Sequence, residues 1–350
     1  GLDLIFKGEK NVAFLPLAHA YGCAFDFLYG LSAGVHIHLM GRSLSAQSLL
    51  DAFKEVKPNL IITVPLILEK IYQKRIQPVI SKPAVNALLK IPFLKRLVYT
   101  KIRKSLVAAF GGNFREVIVG GAALSAEAED FLCKINFPFT VGYGMTECAP
   151  LISYENHRDF VATSCGKILE GFMEARIDSN YPQTIAGEIQ VRGENVMEGY
   201  YKNPQATAAA FTDDGWLRTG DLGILDRHNR LFIKGRLKTM ILGANGQNIY
   251  PEEIEARLNN MPYVAESLII KRNNRLVGLV YPDFHEMEEK GITLPELEKI
   301  MNTIRLEVNS KLAMYEQIGY IELRNEEFEK TPKRSIKRFL YVGENNNVRM

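Results

Sequence analysis

The sequence predicts an α/β protein in three parts: a portion of a large mixed-sheet domain over 1–163, a small β subdomain over 164–235 and an α+β domain over 236–350. Three changes of texture predict it. Short apolar runs at 59–64 and 116–119 each enter a turn, and the second leads through glycines into helical periodicity, the strand–turn–helix order of an α/β sheet. From about Ser164 the chain alternates in short stretches separated by glycine and Asp-Asp-Gly turns, as a small β unit does. After Gly235 helical and strand-like stretches mix again.

Each element has its own reason. The runs at 59–64 and 116–119 are continuous rather than alternating, as in strands buried on both faces. Ala128, Phe131, Leu132 and Ile135 recur at helical spacing behind Ser125, an N-cap candidate, with Glu127 and Glu129 in the first turn, where the helix dipole favours acids. The stretches 187–193 and 231–234 read as strands. A helix opens on Pro251-Glu-Glu, since proline suits a first turn. Apolar runs at 264–270 and 276–281 predict two strands, 294–312 a helix and 318–323 a last strand.

With 350 residues, 47% hydrophobic and 24% charged, the chain can bury a large core, which excludes a disordered or fibrous protein. Its longest apolar stretch, 60–68, is broken by Thr63 and Pro65, short of the roughly 18 apolar residues that a membrane-spanning helix needs. Cys23, Cys133, Cys148 and Cys165 are too dispersed for a CxxC pair or a disulfide framework, so reduced thiols and a cytoplasmic location are expected. His36 and His38 alternate in an apolar run and read as packed or edge residues rather than metal ligands. The sequence has neither GxxxxGK[ST] nor GxGxxG. It begins GLDLIFKGEK, which is not a signal peptide and lacks an initiating methionine, so upstream sequence is expected.

A net charge of +3 argues against a general nucleic-acid binder. Residues 70–104 hold ten basic residues and no acidic one; removing those ten leaves the rest of the chain at −7. Apolar residues lie between the charges, and Pro78, Pro83 and Pro92 predict short amphipathic pieces. One reading is a solvated helical face. The other is a surface for anionic headgroups at the inner face of a membrane, or for the phosphates of a large ligand.

Four tracts carry the chemistry: LPLAHAYG at 15–22; VGGAALS at 119–125 with TVGYGMTE at 140–147; GWLRTGDLG at 215–223; and GRLKTMILGANGQNIYPEEIE at 235–255. In this order they resemble the adenylate-forming enzymes, and among these the long-chain fatty acyl-CoA synthetases. The resemblance implies a partial adenylation domain followed by a mobile C-terminal α+β domain. It also implies ATP-dependent joining of a medium- or long-chain fatty acid to coenzyme A through an acyl-adenylate, with Mg2+. Two other readings stay open: a non-catalytic nucleotide-binding or scaffolding remnant, and a module that acylates a carrier protein. The second is disfavoured because the chain has no Gly-Gly-Asp/His-Ser attachment motif.

Residue by residue, the resemblance places Gly120, Gly121 and Ala122 against the adenine, where glycine lets backbone approach a flat base. It makes Tyr143, beside Gly144, the stacking ring, Thr146 a phosphate contact and Glu147 the Mg2+ ligand. Asp221 would accept from both ribose hydroxyls, as an acceptor-only side chain can, and Arg236 would contact ribose and phosphate. Lys238 falls at the pivot between the two half-reactions, His19 and Tyr21 line the acyl side, and Gly243 and Gly246 meet the pantetheine arm. The chain departs from the family twice. The Ser/Thr/Gly-rich loop that cradles the β and γ phosphates is not in it, so a C-terminal portion, inactive alone, is expected. The residue before Ile336 is Ser335 where the family carries its adenylation lysine, which leaves Lys333 or Lys337 for that role.

Overall fold

The computed structural model describes residues 4–41, 46–122, 124–243, 247–330 and 336–342. They form two compact units: Gly1–Thr219 with Gly223–Ile233, and Gly220–Leu222 with Lys234–Met350.

The first unit is built around a three-stranded parallel sheet, Ile61–Thr63, Val117–Val119 and Phe139–Val141, every residue of which is buried. The register sets Thr63 opposite Val119 and Val119 opposite Val141, so all three strands end on one line. Ligands of open α/β sheets bind at such a line of strand ends, and here Val64, Gly120 and Gly142 lead away from it. Lys10–Ala13 pairs in parallel with His36–Leu39, on which His36 and His38 are exposed. Phe53, Phe110, Val117, Val119 and Ala128 fill the core. The helix Ala126–Lys134 follows Ser125, whose side chain makes no cap; instead the Ser125 N–H donates to Glu69 Oε1 at 2.7 Å.

A second core in this unit gathers Ile152, Ile189, Val191, Leu217 and Leu231. It lies under a four-stranded sheet in which Gly187–Gly193 pairs antiparallel with Met173–Asp178 and is followed across the sheet by Leu217–Leu225 and Leu231–Arg236.

The basic segment folds into the helices Gln77–Ile80, Pro83–Leu89 and Pro92–Ala109, each with its proline in the first turn, where no N–H is needed. The last runs for 18 residues, longer than the short pieces expected from the prolines.

In the second unit, Val264–Arg272 and Arg275–Pro282 form an antiparallel hairpin, and Ile318–Leu323 joins in parallel. Asn273 and Asn274, with φ of 50° and 59°, make its turn, the mirror-image type that asparagine tolerates. Ile269 and Val280 pack toward the helices Pro251–Leu258 and Leu294–Asn309, while Leu268, Ile270, Val277 and Leu279 pack with Phe328 and Tyr341 on the other face. Both faces are covered, which explains apolar runs in place of alternation. A helix that the periodicity did not announce, Phe284–Lys290, is capped by Asp283 and closed by Gly291 at φ 65°.

Candidate functional site

Where the strand Val117–Val119 ends, the Gly120 N–H donates to Thr63 O at 3.0 Å. A Cβ on Gly120 would sit 2.8 Å from the Tyr21 ring, so the glycine is required by a packed aromatic. Tyr21 in turn donates from its hydroxyl to Ile118 O at 3.2 Å, and burial raises its phenol well above the usual range. Gly121, at φ +87°, and Ala122 are exposed beside this junction. The sequence placed Tyr21 and Gly120 on different sides of one pocket; the fold brings them into contact. His19 is exposed at the start of the same helical turn, its N–H donating to Pro16 O at 3.0 Å and its carbonyl accepting from Cys23.

Tyr143 and Gly144 form a short strand against Leu151–Tyr154. Only glycine fits at 144, since a Cβ there would lie 2.0 Å from Pro150 O. Thr146, exposed, and Glu147 then open a 3-10 turn, Thr146–Cys148. Asn195 clamps this turn by donating from Nδ2 to Cys148 O (2.6 Å) and Leu151 O (2.8 Å), and the Met197 N–H donates to Glu147 O at 2.8 Å. The Glu147 carboxylate accepts from the Tyr200 hydroxyl at 3.0 Å; burial first, and then this carboxylate, raise the Tyr200 phenol. Among the described residues no cluster of three or more His, Cys, Asp or Glu could hold a metal ion.

In the second unit Asp221, 8% exposed, pairs through Oδ1 with Arg236 Nε at 3.1 Å, while the Arg236 side chain is 73% exposed. Leu237 N–H donates to Gly220 O at 2.9 Å, tying the two strands together just past the pair. Lys238 follows in an exposed turn closed by Thr239 and Met240 N–H donating to Arg236 O at 3.2 and 3.0 Å. Gly243 N–H donates to Gln247 O at 2.8 Å; Gly246 lies outside the described residues. So does Lys333, whereas Lys337 Nζ pairs with Glu329 Oε2 at 3.1 Å. Next to it Arg338 binds the buried Glu255, whose carboxyl burial pushes up to about 7 against the opposing pull of Arg338.

Sequence reasoning missed Tyr200, Asn195 and Asp26. Tyr200 and Asn195 lie near or within a motif-like tract that says nothing of which side chain reaches back some fifty positions. Asp26 left a signal: one acid in the apolar stretch CAFDFLYG. It is 1% exposed, accepts from Leu15 N–H at 3.2 Å and Phe14 N–H at 3.4 Å, and is pushed up to about 7 by burial. It thereby fixes the entry to the LPLAHAYG tract.

A parallel-sheet α/β part, a separate β sheet and an α+β tail are the architecture of the adenylate-forming enzymes, and solved members share it. Bacillus subtilis O-succinylbenzoate-CoA synthetase (MenE) in complex with AMP superposes with a TM-score of 0.73 at 22% identity, over 100% of this chain and 63% of its own. ATP-bound MatB from Rhodopseudomonas palustris gives 0.70 at 22% identity, over 96% of this chain and 60% of its own. The chain belongs to the AMP-binding enzyme family, whose model matches residues 4–201. Among sequence relatives, the long-chain-fatty-acid–CoA ligase FadD15 of Mycobacterium bovis is 32% identical over 300 residues, 79% of this chain and 47% of the relative. The long-chain-fatty-acid–CoA ligase 4 of Saccharomyces cerevisiae is 28% identical over 308 residues, 82% of this chain and 44% of the relative. The chain spans about half the length of the curated relatives it matches.

Proposed function

We propose that the full-length protein joins a medium- or long-chain fatty acid to coenzyme A through an acyl-adenylate, using ATP, and that this chain supplies the nucleotide-facing motifs and the tail domain. A carboxylate resists attack because its leaving group would be oxide. Adenylation substitutes AMP as the leaving group, which the thiol of coenzyme A then displaces.

The observation that carries the reading is the Asp221–Arg236 pair at 3.1 Å. A buried carboxylate held by a guanidinium offers oriented acceptor oxygens to a ribose diol, while the solvent-exposed part of Arg236 remains open to ribose and phosphate oxygens. Glu147, whose partner Tyr200 is neutral, would hold Mg2+, which when bound neutralises phosphate charge. Thr146 contacts the phosphates, and Tyr143 stacks on the base beside Gly120, Gly121, Ala122 and Gly144. His19 and Tyr21 border the acyl side, and Gly243 meets the pantetheine arm. Lys238 is the pivot, and Lys337 exchanges Glu329 for the substrate carboxylate and α-phosphate. Residues 70–104 make peripheral contact with an anionic membrane.

The test is thioester formation by the full-length protein from palmitate, ATP, Mg2+ and coenzyme A. Palmitoyl-CoA and AMP are the expected products. Failure to form a thioester from any saturated acid of medium to long chain by a folded protein would contradict the reading.

A further inference from the structure

The helix Pro92–Ala109 is held at one end only. Toward its C-terminus Leu106 and Ala109 are buried, and Tyr99 meets the edge of Phe131 at 5.9 Å. Its other end packs with the preceding helix Pro83–Leu89 to form a hairpin. No residue from 77 to 105 is buried. Around the hairpin's bend Phe93 is 72%, Leu97 53% and Ile91 50% exposed. The cations Lys82, Lys90, Lys95, Arg96 and Lys101 are exposed beside them.

We infer that this bend is a membrane wedge: Ile91, Phe93 and Leu97 enter the acyl region of an anionic leaflet while the flanking lysines and arginine stay at headgroup level. This rests on the membrane contact proposed above and adds insertion to it. Charge selects the occupant. Ten cations without an acid between 70 and 104 complement a negatively charged surface, and they argue against pairing of this segment with itself in a second copy, which would set like charges face to face. A nucleic acid would satisfy the cations but leave Phe93, Leu97 and Ile91 in water, whereas long basic side chains around an apolar tip suit an interface, where their stems lie along the acyl boundary and their heads reach water.

The two layers of the proposal separate by salt, because screening weakens headgroup attraction and spares apolar burial. The experiment is co-sedimentation of the full-length protein, without nucleotide, with phosphatidylcholine vesicles of rising phosphatidylglycerol content, at low and high salt. Binding is expected to rise with phosphatidylglycerol, and a fraction is expected to survive high salt. Phe93→Ser with Leu97→Ser should bind nearly as well at low salt and lose about tenfold or more of its partitioning at high salt. A Phe93→Trp variant, read against the unmodified full-length protein, should gain emission that brominated-acyl phosphatidylcholine quenches. Complete release of the unmodified protein by salt, with no such quenching, would overturn insertion and leave electrostatic contact standing. Absence from the pellet at every composition would overturn both, as would binding that follows RNA or self-association instead of lipid.

Discussion

Glu147 and Asp221 are both motif carboxylates, and the chain holds them in opposite ways. Glu147 sits at the start of a 3-10 turn pinned by backbone and Asn195, and its carboxylate accepts from a phenol, Tyr200, at 3.0 Å. Asp221 is buried in a strand and bound to the guanidinium of Arg236 at 3.1 Å. A neutral donor orients a carboxylate without offsetting its charge, which suits a cation ligand. A guanidinium offsets the charge and fixes the plane, which suits a hydrogen-bond acceptor. On the proposed reading, the same functional group is prepared for two tasks by its partner rather than by its own chemistry. Asp26 makes a third case, accepting from the backbone N–H groups of Phe14 and Leu15.

That third case carries the largest expected effect. Burial raises Asp26 from 3.8 to about 7, so as pH climbs through that window the unfolded chain gives up a proton that the folded chain keeps. The folded state then binds more protons, and stability contributed by this site falls from about pH 4 to about pH 7 and is level above. Asp26→Asn keeps an acceptor for Leu15 N–H and removes the titration. Its stability relative to the unmodified protein should therefore grow across the window, by at most about 4 kcal/mol. Chemical denaturation at a series of pH values reads this, and a constant difference would mean that Asp26 is not held protonated.

Asp221→Ala comes next. Loss of a charged acceptor costs roughly 1.5–3 kcal/mol per hydrogen bond, so ATP affinity of the full-length protein should fall by at least about tenfold to a hundredfold, the loss of one such bond, by calorimetric titration. Unchanged affinity would take Asp221 out of the nucleotide site and erase the contrast with Glu147. Tyr200→Phe is the smallest change: it removes one neutral donor, worth about 0.5–1.5 kcal/mol. The Mg2+ concentration needed for half-maximal rate should shift by about twofold to tenfold, with ATP affinity held constant. An equal drop in ATP affinity would show that Tyr200 serves the nucleotide and not the carboxylate.

What the sequence revealed and what it hid divide along the same physical line. Strands 187–193 and 318–323 coincide with Gly187–Gly193 and Ile318–Leu323, because local apolar patterning and glycine punctuation decide them. The helix Phe284–Lys290 escaped notice since only Phe284 and Met287 are apolar in it, and the visible clue was its caps, Asp283 with Glu286 and then Gly291. At the site, the motif glycines were legible as glycines, but the reason for Gly120 is a tyrosine ring from far upstream, and the reason for Gly144 is the Pro150 carbonyl. The partners Tyr200 and Arg236 illustrate both outcomes: Arg236 was named from its motif, while Tyr200 reaches Glu147 across 53 positions that no periodicity connects.

The central claim is that these motifs serve activation of a fatty acid as its adenylate. Fatty-acid-dependent exchange of radiolabelled pyrophosphate into ATP, measured on the full-length protein with Mg2+ and without coenzyme A, tests it most directly, because only a reversible adenylation step moves the label. The account predicts exchange that requires palmitate or a similar acid and collapses in Asp221→Ala. Exchange that proceeds without any fatty acid, or none at all from a folded protein that still binds ATP, would contradict it.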